Sequence, residues 1–135
     1  MWFFRQKDKN QLDNRSISDY LIGYTLNLMG KNRDEVLVFI KEIQHEEDIT
    51  PSGLTVFKGI LGNGCLLGIS LEKNKVFKIN IWLNNKPSKG DLENLYLFGM
   101  THESEYYLYN LFDNSKEANK KPFNRYMIAF ESKIF

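Results

Sequence analysis

The stretch "SISDYLIGYTLNLMG", from Ser16 to Gly30, places Ile17, Tyr20, Leu21, Tyr24 and Leu28 at spacings of three and four, so one stripe of a helix faces a core. Ser16 precedes it as a cap, Asp19 stands in the capping-box position, and Gly30 supplies a left-handed stop. "NRDEVLVFIKEIQHEED" repeats the pattern, with Asn32 as cap and Asp34 and Glu35 in the first turn, where the macrodipole favours acids. Its stripe is Val36, Phe39, Ile40 and Ile43, and the helix is read through to Glu46, Glu47 and Asp48. The run "VLVFI" inside it is also good strand material.

After "DITPSG" the hydrophobic period changes to two. "LTVFKGIL" and "CLLGISLE" flank Gly62, Asn63 and Gly64, and "VFKINIWL" follows "KNK". Asn-Gly between two strand-like runs predicts a hairpin, because a type I′ turn needs two residues that tolerate positive φ. With Asn63 and Gly64 as the loop, Ile60 faces Leu67 and Val56 faces Leu71, while Lys58 opposite Ile69 is the one misfit. An odd-numbered loop through Lys73, Asn74 and Lys75 then aligns Leu71, Ile69 and Leu67 with Phe77, Ile79 and Ile81. A strand after the glycines also argues against a phosphate cradle, which needs a helix N-terminus at that point.

"NNKPSKGD" is a polar connection, and "LENLYLFGM" suits a strand or a short helix. "EYYLYNLF" and "RYMIAFESKIF" alternate, with Tyr106, Leu108 and Phe112 on one side of the first and Tyr126, Ile128 and Phe130 on one side of the second. "DNSKEANKKPFN" between them reads as a surface loop. The expected architecture is α+β, two N-terminal helices packed on an antiparallel sheet of about five strands, in one domain spanning residues 1–135.

Charge narrows the function classes. With 18 Lys and Arg against 17 Asp and Glu, the chain has no global field to gather nucleic acid or an anionic membrane, so neither is expected as a partner. The single cysteine, Cys65, rules out an internal disulfide and every multi-cysteine zinc pattern, and points to a reducing, cytoplasmic setting. The start "MWFFRQKDKN" reverses the order of a signal peptide.

Candidate chemistry is sparse. Cys65 as a nucleophile needs a positioned base, and the only histidines, His45 in "QHEED" and His102 in "THESE", each lack the second histidine of a zinc site. "ESK" gives Glu131 and Lys133 the Glu-x-Lys form that nucleases combine with an upstream acid, here Asp91, to hold magnesium. It sits where fraying displaces it. The expectation is therefore a non-catalytic chain with no metal and no cofactor. The alternative is a small metal-dependent nuclease or hydrolase built from Asp91, Glu131, Lys133 and the histidines.

Binding features remain. Leu61, Leu66, Trp82 and Phe57 share the second face of the sheet, as an apolar patch that a helix covers or a partner contacts; a self-associating adaptor would use Leu61, Leu66 and Trp82. Glu46, Glu47 and Asp48 oppose the macrodipole at the end of the second helix, an unfavourable local choice of the kind that marks a contact surface.

In size and α+β layout the chain resembles the small immunity proteins that bacteria make beside secreted or contact-delivered toxins. The resemblance implies a protein that neutralises a toxin by occupying its active site or an adjacent surface. On that reading Glu46, Glu47 and Asp48 steer a basic toxin, and Trp82, Tyr107 and Tyr109 anchor it.

Overall fold

The computed structural model describes residues 15–110 and 126–134. Phe112 and the "DNSKEANKKPFN" stretch lie outside the described residues, as does the "MWFFRQKDKN" start. Among the described residues, three helices, α1 (Ile17–Leu28), α2 (Arg33–Ile40) and α3 (Lys89–Thr101), accompany six strands. These are β1 (His45–Ile49), β2 (Thr55–Ile60), β3 (Leu66–Glu72), β4 (Lys75–Leu83), β5 (Tyr106–Asn110) and β6 (Tyr126–Ser132). The strands form one antiparallel sheet in the order β1-β2-β3-β4-β6-β5, and the fold is α+β as expected, with six strands in place of about five.

Each helix starts where the sequence caps it. The Ser16 side chain accepts from the Asp19 amide, Asn32 and Glu35 form a full capping box, and Ser88 accepts from the Asp91 amide. Gly30 ends α1 at φ +83°, and the turn after it docks on the sheet: the Gly30 amide donates to the Val76 carbonyl and the Val76 amide to the Lys31 carbonyl, both at 2.9 Å. "LENLYLFGM" is helical, inside α3. The second helix is half the expected length. It stops at Ile40, so "VLVFI" is helical despite its strand-like composition, and the acidic His45–Ile49 pairs with β2 instead of continuing the helix.

The first hairpin departs from the expected register by one residue. The Leu61 amide donates to the Cys65 carbonyl and the Gly64 amide to the Leu61 carbonyl, which closes a three-residue loop with Gly64 alone left-handed at φ +83°. Phe57 therefore faces Ile69 and Gly59 faces Leu67. The slip carries Phe57 and Leu61 into the core and turns Lys58 and Ile60 to the opposite face, which removes the Lys58 misfit. At the second turn Lys73 and Asn74 are both left-handed, a two-residue loop, yet Ile69 still meets Ile79 and Leu67 meets Ile81. A bulge between Ser70 and Leu71 restores the expected alignment, with Val76 rather than Phe77 opposite Leu71.

All three helices lie on one face. Tyr20, Leu21 and Leu28 of α1, Val36 and Ile40 of α2, and Leu95 and Phe98 of α3 pack with Leu67, Ile69, Ile79, Ile81, Ile128 and Phe130 in one core. Phe39 is exposed, so the α2 stripe is narrower than expected. Asp91 ties two helix starts together: its carboxylate accepts from the Ser18 amide at 3.2 Å, the Ser18 hydroxyl at 2.8 Å and the Ser88 hydroxyl at 3.0 Å.

One group in this layer is unpaired. The Thr25 hydroxyl is buried with no hydrogen-bond partner. Thr25→Val keeps the branched shape and removes the unpaired group, so it is expected to raise the unfolding free energy by about 1–2 kcal/mol. Urea denaturation checks this as a higher midpoint at unchanged slope.

Candidate functional site

Strand parity writes the face away from the helices as three rows across the sheet. Ile60, Leu66, Trp82 and Met127 face one another in the first row. Glu46, Lys58, Gly68, Asn80, Ala129 and Tyr109 follow in the second. Asp48, Val56, Ser70, Lys78, Glu131 and Tyr107 make the third. No described helix covers these rows.

The middle of the face is built for the indole of Trp82. A Cβ at Gly68 would lie 2.8 and 2.9 Å from carbons of the Trp82 ring and 2.7 Å from the Asn80 Oδ1, so only glycine leaves the ring its seat across the strand. Asn80 is 3% exposed and its Nδ2 has no partner, an expensive choice at a position where an aliphatic residue would pack. Tyr107 and Tyr109 are 56% and 46% exposed on the edge strand β5. The Lys78 ammonium lies 5.2 Å from the Tyr109 ring centroid and the Lys133 ammonium 4.8 Å from that of Tyr107, which draws two cations onto the aromatic end. At the other end Glu46, Lys58, Ile60 and Leu66 line a shallow depression with Gln44, His45 and Gly59.

The expected binding residues divide. Trp82, Tyr107, Tyr109, Glu46 and Asp48 come to this one face. Glu47 does not: it lies opposite Phe57, where the Arg33 Nε and Nη2 donate to its two carboxylate oxygens at 2.7 and 2.6 Å. The trio does not end a helix, and the macrodipole argument for it falls, because alternation on β1 splits it between faces. Asp48 is bridged to Lys58 at 3.3 Å. Leu61 belongs to the core, and Ile60 takes its place beside Leu66. Ile60, Met127 and Asn80 went unrecognised in the sequence; the Lys58 misfit was the signal that would have found Ile60. A second group of exposed apolar side chains, Tyr96, Leu97 and Met100, lies on α3.

The residues considered for catalysis are dispersed. Cys65 is buried and its thiol is pushed up by desolvation, partly opposed by a backbone hydrogen bond from Asn84, the reverse of an activated nucleophile. The Nδ1 of His45 lies 2.8 Å from the Ile43 carbonyl, and His102 stacks on Phe98 at 4.1 Å. Asp91 is engaged at the helix starts, and Glu131 stands opposite Lys78 on the open face. Among the described residues, no three of His, Cys, Asp and Glu gather where they would hold an ion. No helix of the described residues is long and apolar enough to cross a membrane.

Two outcomes follow from this geometry. Gly68→Ala is expected to displace the indole and cost about 1–3 kcal/mol, read as a shifted Trp fluorescence maximum together with a lower denaturation midpoint. The hydrogen bonds from Arg33 hold the Glu47 carboxyl below the usual carboxylate range, so the unfolded state binds more protons there. Its contribution is complete above the ordinary carboxylate pKa, roughly pH 4.3, and is lost as pH falls through the depressed native value. Glu47→Gln is therefore expected to lower stability at neutral pH and to flatten the acid limb of a stability profile.

Comparison of the chain with protein-family models, with curated proteins and with solved structures finds no match.

Proposed function

We propose that this chain is a non-catalytic protein-binding domain that works through the open face of its sheet. One observation carries the reading: the described helices all lie on one face of the sheet, while the other presents Ile60, Leu66 and Trp82 beside two half-exposed tyrosines. Aromatic rings that are rigid, partly exposed and braced by lysines are effective anchors, since little side-chain freedom is lost when a partner covers them. Glu46 and Asp48 at the β1 edge lie where they would steer a basic partner. Glu47, held by Arg33, drops out of that role.

Toxin neutralisation of the immunity-protein kind is the particular form proposed. Its support is the size and α+β layout together with a contact face that combines an acidic edge and aromatic anchors. In this form the chain blocks a basic toxin surface and performs no chemistry.

The test is affinity capture from the source cell's lysate, read by mass spectrometry, with three baits. The wild-type chain is expected to retain one stoichiometric protein, and Tyr107→Ala/Tyr109→Ala to lose it. Leu97→Ala, on the exposed side of α3, is expected to keep it. Loss with Leu97→Ala and retention by the tyrosine variant would move the interface to the helices, and background alone from all three would refute the reading.

A further inference from the structure

Two backbone edges of the sheet are open among the described strands, the outer side of β1 and the outer side of β5. They differ in chemistry. β1, "HEEDI", carries three acids in five residues, the charged kind of edge that resists a further strand. β5, "YYLYN", carries neither a charge nor a proline. The ladder to β6 shows which of its peptide groups are left over. The Lys133 amide donates to the Glu105 carbonyl at 2.9 Å, and the two residues continue the β5–β6 register. Glu105, Tyr107 and Tyr109 therefore turn their amides and carbonyls toward β6, and by alternation Tyr106, Leu108 and Asn110 turn theirs outward. The Tyr106 amide is already taken, donating to the His102 carbonyl at 3.1 Å. The Tyr106 carbonyl and both groups of Leu108 and Asn110 have no strand beside them among the described residues.

We infer that β5 pairs with β5 of a second copy of this chain, antiparallel and centred on Leu108, so that two sheets join edge to edge about a two-fold axis. The inference goes beyond the open face, because it uses the backbone of the edge rather than the side chains of the face. The outward groups are symmetric about Leu108. At the axis each Leu108 amide donates to the Leu108 carbonyl of the other copy, and on either side the Asn110 amide donates to the other copy's Tyr106 carbonyl. The side chains suit the same register. Leu108, half-buried where a Cβ at Gly99 of α3 would lie 3.6 Å from it, meets its own copy on the helical side of the sheet. On the opposite side Tyr107 and Tyr109, both exposed, face Tyr109 and Tyr107 of the second copy, an aromatic cross-strand pair made twice.

The other edge pairings are disfavoured. β1 on itself would set acids against acids. β1 on β5 would leave an open edge at each end and continue as a filament, whereas β5 on β5 closes after two copies. An edge of five residues buries less than a standard interface, so the dissociation constant is on the order of 100 μM.

Sedimentation equilibrium and amide hydrogen exchange read by NMR, on the purified full chain from about 10 μM to about 1 mM, test this over the range where such a dimer assembles. A monomer–dimer equilibrium is expected, in which exchange of the Leu108 amide slows by about fourfold across the range while that of Tyr106, bonded within its own chain, does not follow concentration. Tyr107→Lys/Tyr109→Lys sets like charges opposite one another and should weaken the dimer by about tenfold, whereas Tyr107→Glu/Tyr109→Lys sets opposite charges there and should stay within about threefold of wild type. Circular dichroism accompanies each variant, and if one fails to fold the wild-type exchange result decides alone. A monomer at every concentration, a dimer in which the Leu108 amide exchanges as in the monomer, or one that tolerates the lysine pair overturns the inference. No other protein enters these measurements, so the failure of this dimer and the failure of the capture experiment remain separate results.

Discussion

Leu67, Ile69 and Leu71 of β3 meet Ile81, Ile79 and Val76 of β4 across the middle of the sheet, and all six are buried beneath α1 and its neighbours. A sheet exposes alternate side chains to opposite faces, so committing these six to one side assigns every other residue of both strands to the other. The assignment spreads through the ladder. Phe57 joins the aliphatic stack from β2, Ile128 and Phe130 join it from β6, and their neighbours in sequence become the floor and rim of the open face. Burial of large aliphatic side chains contributes about 1.5–3 kcal/mol each, so this stack outweighs local choices such as the left-handed Lys73. The bulge after Ser70 is the adjustment the turn makes to the stack.

Much of the helix layer and the sheet was legible because caps and period-two runs are local signals. Ser16, Asn32 and Gly30 act where they were read, and Tyr126, Ile128 and Phe130 share the core side. What escaped the sequence was set by competition between local signals. Asn63-Gly64 satisfies a two-residue turn, yet a three-residue loop places Phe57 in the core and Lys58 outside it, and the burial of an aromatic ring decides. In the same way "HEEDI" continues a helical charge pattern, but its backbone gains hydrogen bonds on β2 that a longer α2 would forgo. Site residues suffered more than fold, because a slip of one position exchanges the two faces. Leu61 and Ile60 traded places in this way, and Glu47 parted from Glu46 and Asp48.

The open face joins two different surfaces. Around Gly68, Asn80 and Ala129 it is buried, with carbons of the Trp82 ring close against the glycine. Toward β5 it carries tyrosines under lysine ammonium groups. The centre is therefore preorganised while the periphery stays adaptable and charged, the division of labour found in contact surfaces that combine fixed anchors with a polar rim. Asp91, the acid nearest in type to a catalytic group, spends its hydrogen bonds on joining α1 to α3 behind the sheet, away from this face.

The strand order has a consequence for how the molecule assembles. Among the described strands β1 through β4 pair with their sequence neighbours, and so do β5 and β6; the one pairing between non-consecutive strands is that of β4 with β6. β5 is therefore joined to the rest of the sheet through β6. Tyr107 and Tyr109 keep their places near Lys133 and Lys78 only while the β4–β6 ladder is closed. The aromatic edge thus depends on a pairing whose strands are separated by α3 and β5 in the chain, the kind for which loop closure is costly.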